Sequence, residues 1–161
     1  MVRHSGTWIV NIRQHNWKAC VDGPSDPDIH GQENINNPWT GVRKESKPDI
    51  RSGDLVIPRR TTRGGNKPYG IMGVWECTGV KRIRSQSEVP WTDAVYEWVI
   101  YCRPIQREFV SPLQERWKDL SFSQHAIQVS MRSLKPIQDR EYKRMVSEYY
   151  LISEEAKKAL R

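Results

Sequence analysis

Short runs of apolar or alternating residues occupy the first two thirds of the chain, and helical spacing takes over after residue 120. Thr7-Trp8-Ile9-Val10-Asn11-Ile12-Arg13, bounded by Gly6, predicts a first strand. A short helix over 14–20 follows, with Trp17 as its apolar contact. Residues 21–38 lack periodicity and are broken by Gly23, Pro24, Pro27, Gly31 and Pro38, which predicts a long loop. Ser52-Gly53-Asp54 turns into the strand Leu55-Val56-Ile57, and 61–68 reads as a hairpin-type connection. From Tyr69 to Val80, Ile71, Gly73, Trp75 and Cys77 share one face and Met72 and Val74 the other, the pattern of a central strand. Gly70, Gly73 and Gly79 suggest the curvature of a small barrel. Ala94–Arg103 reads as another strand.

The last third predicts helices. Ser121-Phe122-Ser123-Gln124 has the form of a capping box, followed by Ile127, Met131 and Leu134 at helical spacing. Tyr142, Met145, Val146, Tyr149 and Tyr150 form an apolar stripe, and 153–161 has the charge order of a final helix. The expected organisation is one domain over 1–150 with a helical extension at 151–161. That extension has no Gly or Pro stop and suits a linker to a further domain.

Composition narrows the class. The chain has 161 residues, enough for one domain with a core. Its 26 basic against 19 acidic residues give a net charge of +7, which favours an anionic partner, nucleic acid first. Cys20, Cys77 and Cys102 are odd in number and widely spaced, so neither a disulfide framework nor a zinc site follows. No apolar h-region and no membrane-length run is present. A cytoplasmic protein without membrane partner, cofactor or metal is expected.

Catalytic patterns are weak. His4, His15, His30 and His125 are scattered, and no nucleophile elbow, deaminase or zincin motif occurs. Asp22, Asp26 and Asp28 lack the rest of a calcium loop, so turn chemistry accounts for them better. An enzyme is therefore not expected. The basic residues carry more information. Arg43 and Lys44 precede one strand, Arg59, Arg60, Arg63 and Lys67 surround the Gly-rich connection, and Lys81, Arg82 and Arg84 follow the next strand. If those strands are neighbours, the charges gather at loop ends as a phosphate track. Among the 7 tryptophans, Trp8, Trp17, Trp75, Trp98 and Trp117 fall in strand or helix patterns and read as core. Trp39 and Trp91 lie in polar, proline-flanked loops and predict two walls of an aromatic slot open to a planar guest.

The order of parts resembles the EVE domain, a relative of the YTH domain in the PUA-like superfamily. The resemblance rests on Trp8-Ile9-Val10 with Asn16-Trp17, Pro38-Trp39-Thr40-Gly41-Val42, and 50–56 (IRSGDLV). Gly70-Ile71-Met72-Gly73-Val74-Trp75 and the stretch from Phe122 to Leu134 complete it. It implies an α+β, PUA-like fold: a curved mixed β-sheet closing into a small barrel with flanking helices. It also implies a pocket for a modified base pulled from its strand. Trp39 and Trp91 would stack on that base, and Asn11, Arg13, Thr40, Ser123 and His125 would line the pocket or bond the base edge.

The reading is a non-catalytic reader of modified, methylated nucleic acid that flips the base into an aromatic cage. DNA is favoured, because EVE-like modules resemble targeting domains of restriction systems of the McrBC type. A fused or partner motor or nuclease suits that reading. The alternatives are a YTH-like reader of methylated RNA, a base-processing or nuclease enzyme, and a protein-interaction adaptor.

Overall fold

In the computed structural model, the described residues are 6–43, 46–60, 70–108 and 134–136. The elements run β1 (Thr7–Ile12), α1 (Gln14–Asp22), α2 (Pro27–His30), β2 (Trp39–Val42), β3 (Leu55–Arg60), β4 (Gly70–Ile71), β5 (Val74–Arg82), β6 (Trp98–Gln106) and β7 (Leu134–Pro136). Seven strands form one mixed sheet, ordered β2-β6-β5-β3-β1-β7, with β4 also paired to β3. β1 and β3 run parallel, and the other pairings are antiparallel. The architecture is α+β, as expected.

Period-two alternation gives the central strands two apolar faces. Val10, Ile12, Val56, Trp75 and Cys77 join the cluster that also takes Trp17, Cys20 and Val21 of α1. At the alternate positions Ile9, Leu55 and Ile57 are buried as well. Each such side chain contributes about 1.5–3 kcal/mol when fully buried. α1 forms because Gln14, Trp17 and Val21 repeat at helical spacing on its buried side. Gly23 ends it with φ 77°, its N–H returning to the Ala19 carbonyl.

Several expectations are corrected. Among the described residues the sheet does not close into a barrel: β2 and β7 are its two ends. Bulges at Val74/Trp75 and Cys77/Gly79 curve it, while α1 covers the inner face in place of further strands. The run expected as one strand over 69–80 breaks at Met72–Gly73 into β4 and β5. At Gly73 a Cβ would lie 2.7 Å from the carbonyl oxygens of Gln106 and Arg107, so the end of β6 crosses where no side chain fits. β3 continues through Pro58, which faces this break; its carbonyl accepts from Met72 N–H, and its missing donor falls where the ladder is interrupted. The loop over 21–38 contains α2 and a 3₁₀ turn at Gln32–Asn34. The last central strand starts at Trp98 rather than at 94. Leu134, expected in a helix, lies in β7 opposite Val10. The capping box, the stripe over 142–150 and the final helix lie outside the described residues, as does the 150/151 boundary.

Two glycines separate strain from collision. Gly23 has positive φ, and a Cβ there would sit 2.0 Å from the Asn37 carbonyl oxygen; Gly53 has φ 94° with open space around it. Gly53→Ala is expected to cost about 1 kcal/mol of backbone strain. Gly23→Ala adds the clash, and its loss should exceed about 2 kcal/mol. Urea denaturation of both variants checks this; equal losses would contradict the packing of 34–37 against α1.

Candidate nucleic-acid interface

Trp39 opens β2, and its indole N–H donates to the Ala19 carbonyl at 2.9 Å. It is a second donor to that carbonyl, which also accepts from Gly23 N–H. Around it stand Tyr101, near-parallel at 6.3 Å between ring centroids, His30 edge-on at 4.8 Å, and Trp91, tilted by 52° at 4.8 Å. Trp91 comes from the connection between β5 and β6. That connection is tied at its base: Ile83 N–H bonds the Glu97 carbonyl, and the Gln86 amide bonds both backbone groups of Tyr96. It has the character of an Ω-loop folded on its own side chains. Gly41 explains the Trp-Thr-Gly sequence, since a Cβ there would lie 2.5 Å from the Tyr96 ring.

A polar cluster covers these rings. Asp93 accepts from Arg13 at 2.8 Å, Asn16 at 3.1 Å and the Tyr96 hydroxyl at 2.7 Å, with His15 Nε2 at 3.6 Å. Burial alone would raise its carboxyl; the bonds from Tyr96 and Asn16 and the Arg13 charge outweigh it and hold Asp93 below its ordinary range. Burial, then Asp93, pushes the Tyr96 hydroxyl well up. Tyr101 is pushed up to about 12 by burial and the nearby Glu88 carboxylate. The Cys20 thiol, near Trp91 and Thr40, is held protonated by burial.

The expected pocket residues divide. Trp39 and Trp91 are together, but the open slot is corrected: both are 3 % exposed, and their rings are in contact at 4.8 Å between centroids, tilted by 52°. A base between them needs two van der Waals gaps, about 7 Å between the rings. The slot is therefore shut, because the loop over 83–97 folds Trp91 onto the face expected to be free. Arg13 reaches the cluster through Asp93. Thr40 is buried beside Cys20. Asn11 alternates with core-facing Val10 and Ile12, and bonds Arg59 at 3.0 Å instead of approaching the indoles. Ser123 and His125 lie outside the described residues. Asp93, Tyr96, His30 and Tyr101 escape sequence reasoning; a carboxylate two residues after Pro90-Trp91 was the available signal. The aspartates of the early loop serve turns, Asp26 capping α2 through Asp28 N–H and Asp22 pairing with Lys18.

The single phosphate track is also corrected. β3 and β5 are antiparallel, so their trailing arginines fall at opposite ends of the sheet. Trp98 is flanked in register by Val42 and Arg82, which brings Arg43, Lys81, Arg82 and Arg84 to one end. There Arg82 lies over the Trp98 ring at 5.6 Å, and Lys81 is tied to the Ile29 carbonyl and to Glu88. An open depression of about 440 Å³ beside Lys47, Arg51 and Val80 adjoins this end. Arg59 and Arg60 close the other end, while Lys44, Arg63 and Lys67 lie outside the described residues. Among the described residues, no helix is long and apolar enough to cross a membrane.

No protein-family profile matches the chain, and no curated protein sequence is similar to it. Solved structures are. The N-terminal domain of Thermococcus gammatolerans McrB, solved bound to m5C DNA, superposes with TM-score 0.57 at 12 % identity, over 86 % of this chain and 94 % of that one. An ASCH protein from Zymomonas mobilis, solved as a point variant, gives TM-score 0.58 at 10 % identity over 91 % and 99 %. A hypothetical protein from Leishmania major gives 0.53 at 14 % over 89 % and 93 %. These likenesses establish a PUA-like fold.

His30 supplies a pH test. Its Nδ1 lies 2.7 Å from the Tyr101 hydroxyl. Burial lowers its pKa, with Lys81 acting the same way, against the opposing pull of Glu88 and Asp26. The unfolded chain therefore binds this proton more readily than the folded one, so stability rises with pH through this window. Stability is expected to fall as pH drops below about 6.5, the ordinary histidine value. His30→Gln should flatten thermal midpoints between pH 7.5 and 5; an unchanged slope would assign the dependence elsewhere.

Proposed function

We propose that this domain is a non-catalytic reader of modified nucleic acid, DNA in preference to RNA, that receives a flipped base on the face of Trp39 now covered by Trp91. The observation carrying this reading is the unequal anchoring of two touching indoles. Trp39 is fixed by its N–H to α1, whereas among the described residues the buried N–H of Trp91 makes no well-formed hydrogen bond and has only the Cys20 sulfur, a weak acceptor, beside it. A buried donor without an acceptor opposes burial by about 1–3 kcal/mol. Trp91 is thus the ring that yields; its loop is held at its base by Gln86 and through Asp93 by Arg13 and Asn16, while the indole N–H itself is not anchored. The incoming base replaces it on Trp39.

The energies are close, and that closeness provides selectivity. Withdrawing a large apolar side chain forfeits about 1.5–3 kcal/mol. Stacking a base returns roughly 1–3 kcal/mol. A methyl group adds about 0.8 kcal/mol when it fills apolar space. Asp93, held ionised, suits an exocyclic amine such as that of cytosine, and Arg13 and Asn16 beside it suit ring acceptors. Exposed at one end of the sheet, Arg43, Arg82 and Arg84 would hold phosphates. The fold's likeness to the McrB domain solved with m5C DNA supports DNA as the polymer.

The test is a panel of single- and double-stranded DNA and RNA oligonucleotides with and without methylated bases. Trp91→Ala should erase the preference for the modified strand while leaving binding to unmodified DNA within about threefold. Trp39→Phe should weaken modified-strand binding by about 1 kcal/mol or more through poorer stacking. A preference unchanged in both variants would exclude this pocket.

A further inference from the structure

Arg60 is a buried cation without a counterion among the described residues. It is 8 % exposed, at the end of β3. Its guanidinium stands over the Trp17 ring at 5.8 Å. Its Nε is sealed from solvent with no hydrogen-bond partner, and no ion pair among the described residues includes it. An arginine cannot shed its proton to escape this situation. A cation–π contact offsets only a fraction of the desolvation of an unpaired guanidinium.

The surroundings are built to hold the side chain in place. Trp17 stacks on Trp75 at 6.1 Å and donates its N–H to Glu108 at 2.7 Å, so the ring beneath Arg60 is a fixed platform. Gly70 lies directly opposite Arg60 in register and adds no side chain. Arg59 next to it faces the other side of the sheet and is engaged by Asn11.

We infer that Arg60 on its Trp17 platform is an anion subsite for one phosphodiester of a nucleic-acid strand, at the end of the sheet opposite Arg43 and Arg82. The planar fork of the guanidinium matches two phosphate oxygens, and the bound anion supplies the missing counter-charge. The inference rests on the proposed function only for the source of the phosphate, not for the base that is read.

Two measurements test it. In thermal unfolding at matched ionic strength, replacing chloride by inorganic phosphate should raise the midpoint of the wild type. Arg60→Met should be at least as stable in chloride, because a lone buried charge is gone, and should not respond to phosphate. Arg60→Lys, which keeps the charge without the fork, should respond weakly; it serves if the methionine variant fails to fold. Binding of an unmodified oligonucleotide to either variant should weaken about tenfold, with a salt slope smaller by about one. Preference for a modified base should survive, which separates this site from the Trp39 pocket. A variant destabilised in chloride but still stabilised by phosphate would make Arg60 a structural cation. A phosphate response in the wild type with an unchanged oligonucleotide salt slope would assign the subsite to a free anion and overturn the strand assignment.

Discussion

The hydrogen bond from the Trp39 indole to the Ala19 carbonyl joins the edge of the sheet to the last turn of α1. Much of the described structure depends on it. α1 ends at Gly23 because 34–37 must pass against it, and that passage delivers Pro38 and Trp39 to β2. With its N–H taken, the indole cannot rotate without leaving a buried donor unpaired. Trp39 is therefore a wall, and Trp91, Asp93 and Tyr96, which pack around it, all come from one connection.

Antiparallel pairing sets the electrostatic layout. Basic residues that follow successive strands in sequence cannot share an end when those strands are antiparallel neighbours. The split leaves the exposed Arg43, Arg82 and Arg84 at one end and the sequestered Arg60 at the other. Exposed cations at the first end give long-range attraction that salt screens. A desolvated guanidinium is screened far less, so the two ends act at different ranges.

Much of the fold was legible because it rests on local pattern. The alternation of Thr7–Ile12 and the helical spacing of Gln14, Trp17 and Val21 survive into the structure, whereas Trp39-Thr40-Gly41, expected in a loop, forms the buried strand β2. The EVE-like order of parts also anticipated the PUA-like architecture seen in the structural neighbours. What was not legible depends on contacts far apart in the chain. Arg13 and Asp93 are 80 residues apart, and nothing local to Pro90-Trp91 shows that its loop closes over β2. Asn11 was misread through a one-residue matter of alternation: one position either way would have faced the core. The barrel was inferred from glycines that instead serve a kink and a bulge.

A shut aromatic slot is compatible with reading a base, and the alternatives strain against it in different ways. A permanently open indole pair would accept any base that leaves its stack, because every base has a π-face. A slot that must first expel its own tryptophan adds a threshold that a poorly fitting guest does not overcome. A threshold of a few kcal/mol is comparable to the stacking return, so a single methyl group can tip the balance. An adaptor surface needs no unsatisfied donor at its centre and no carboxylate held ionised above it. A hydrolytic site would use that carboxylate as a base, yet Asp93 is held below its ordinary range by three donors, which makes it a poor proton acceptor and a good fixed hydrogen-bond acceptor. On the proposed reading, such a carboxylate would act as a fixed acceptor for a base edge, a role that follows from its donors and not from the fold's relatives.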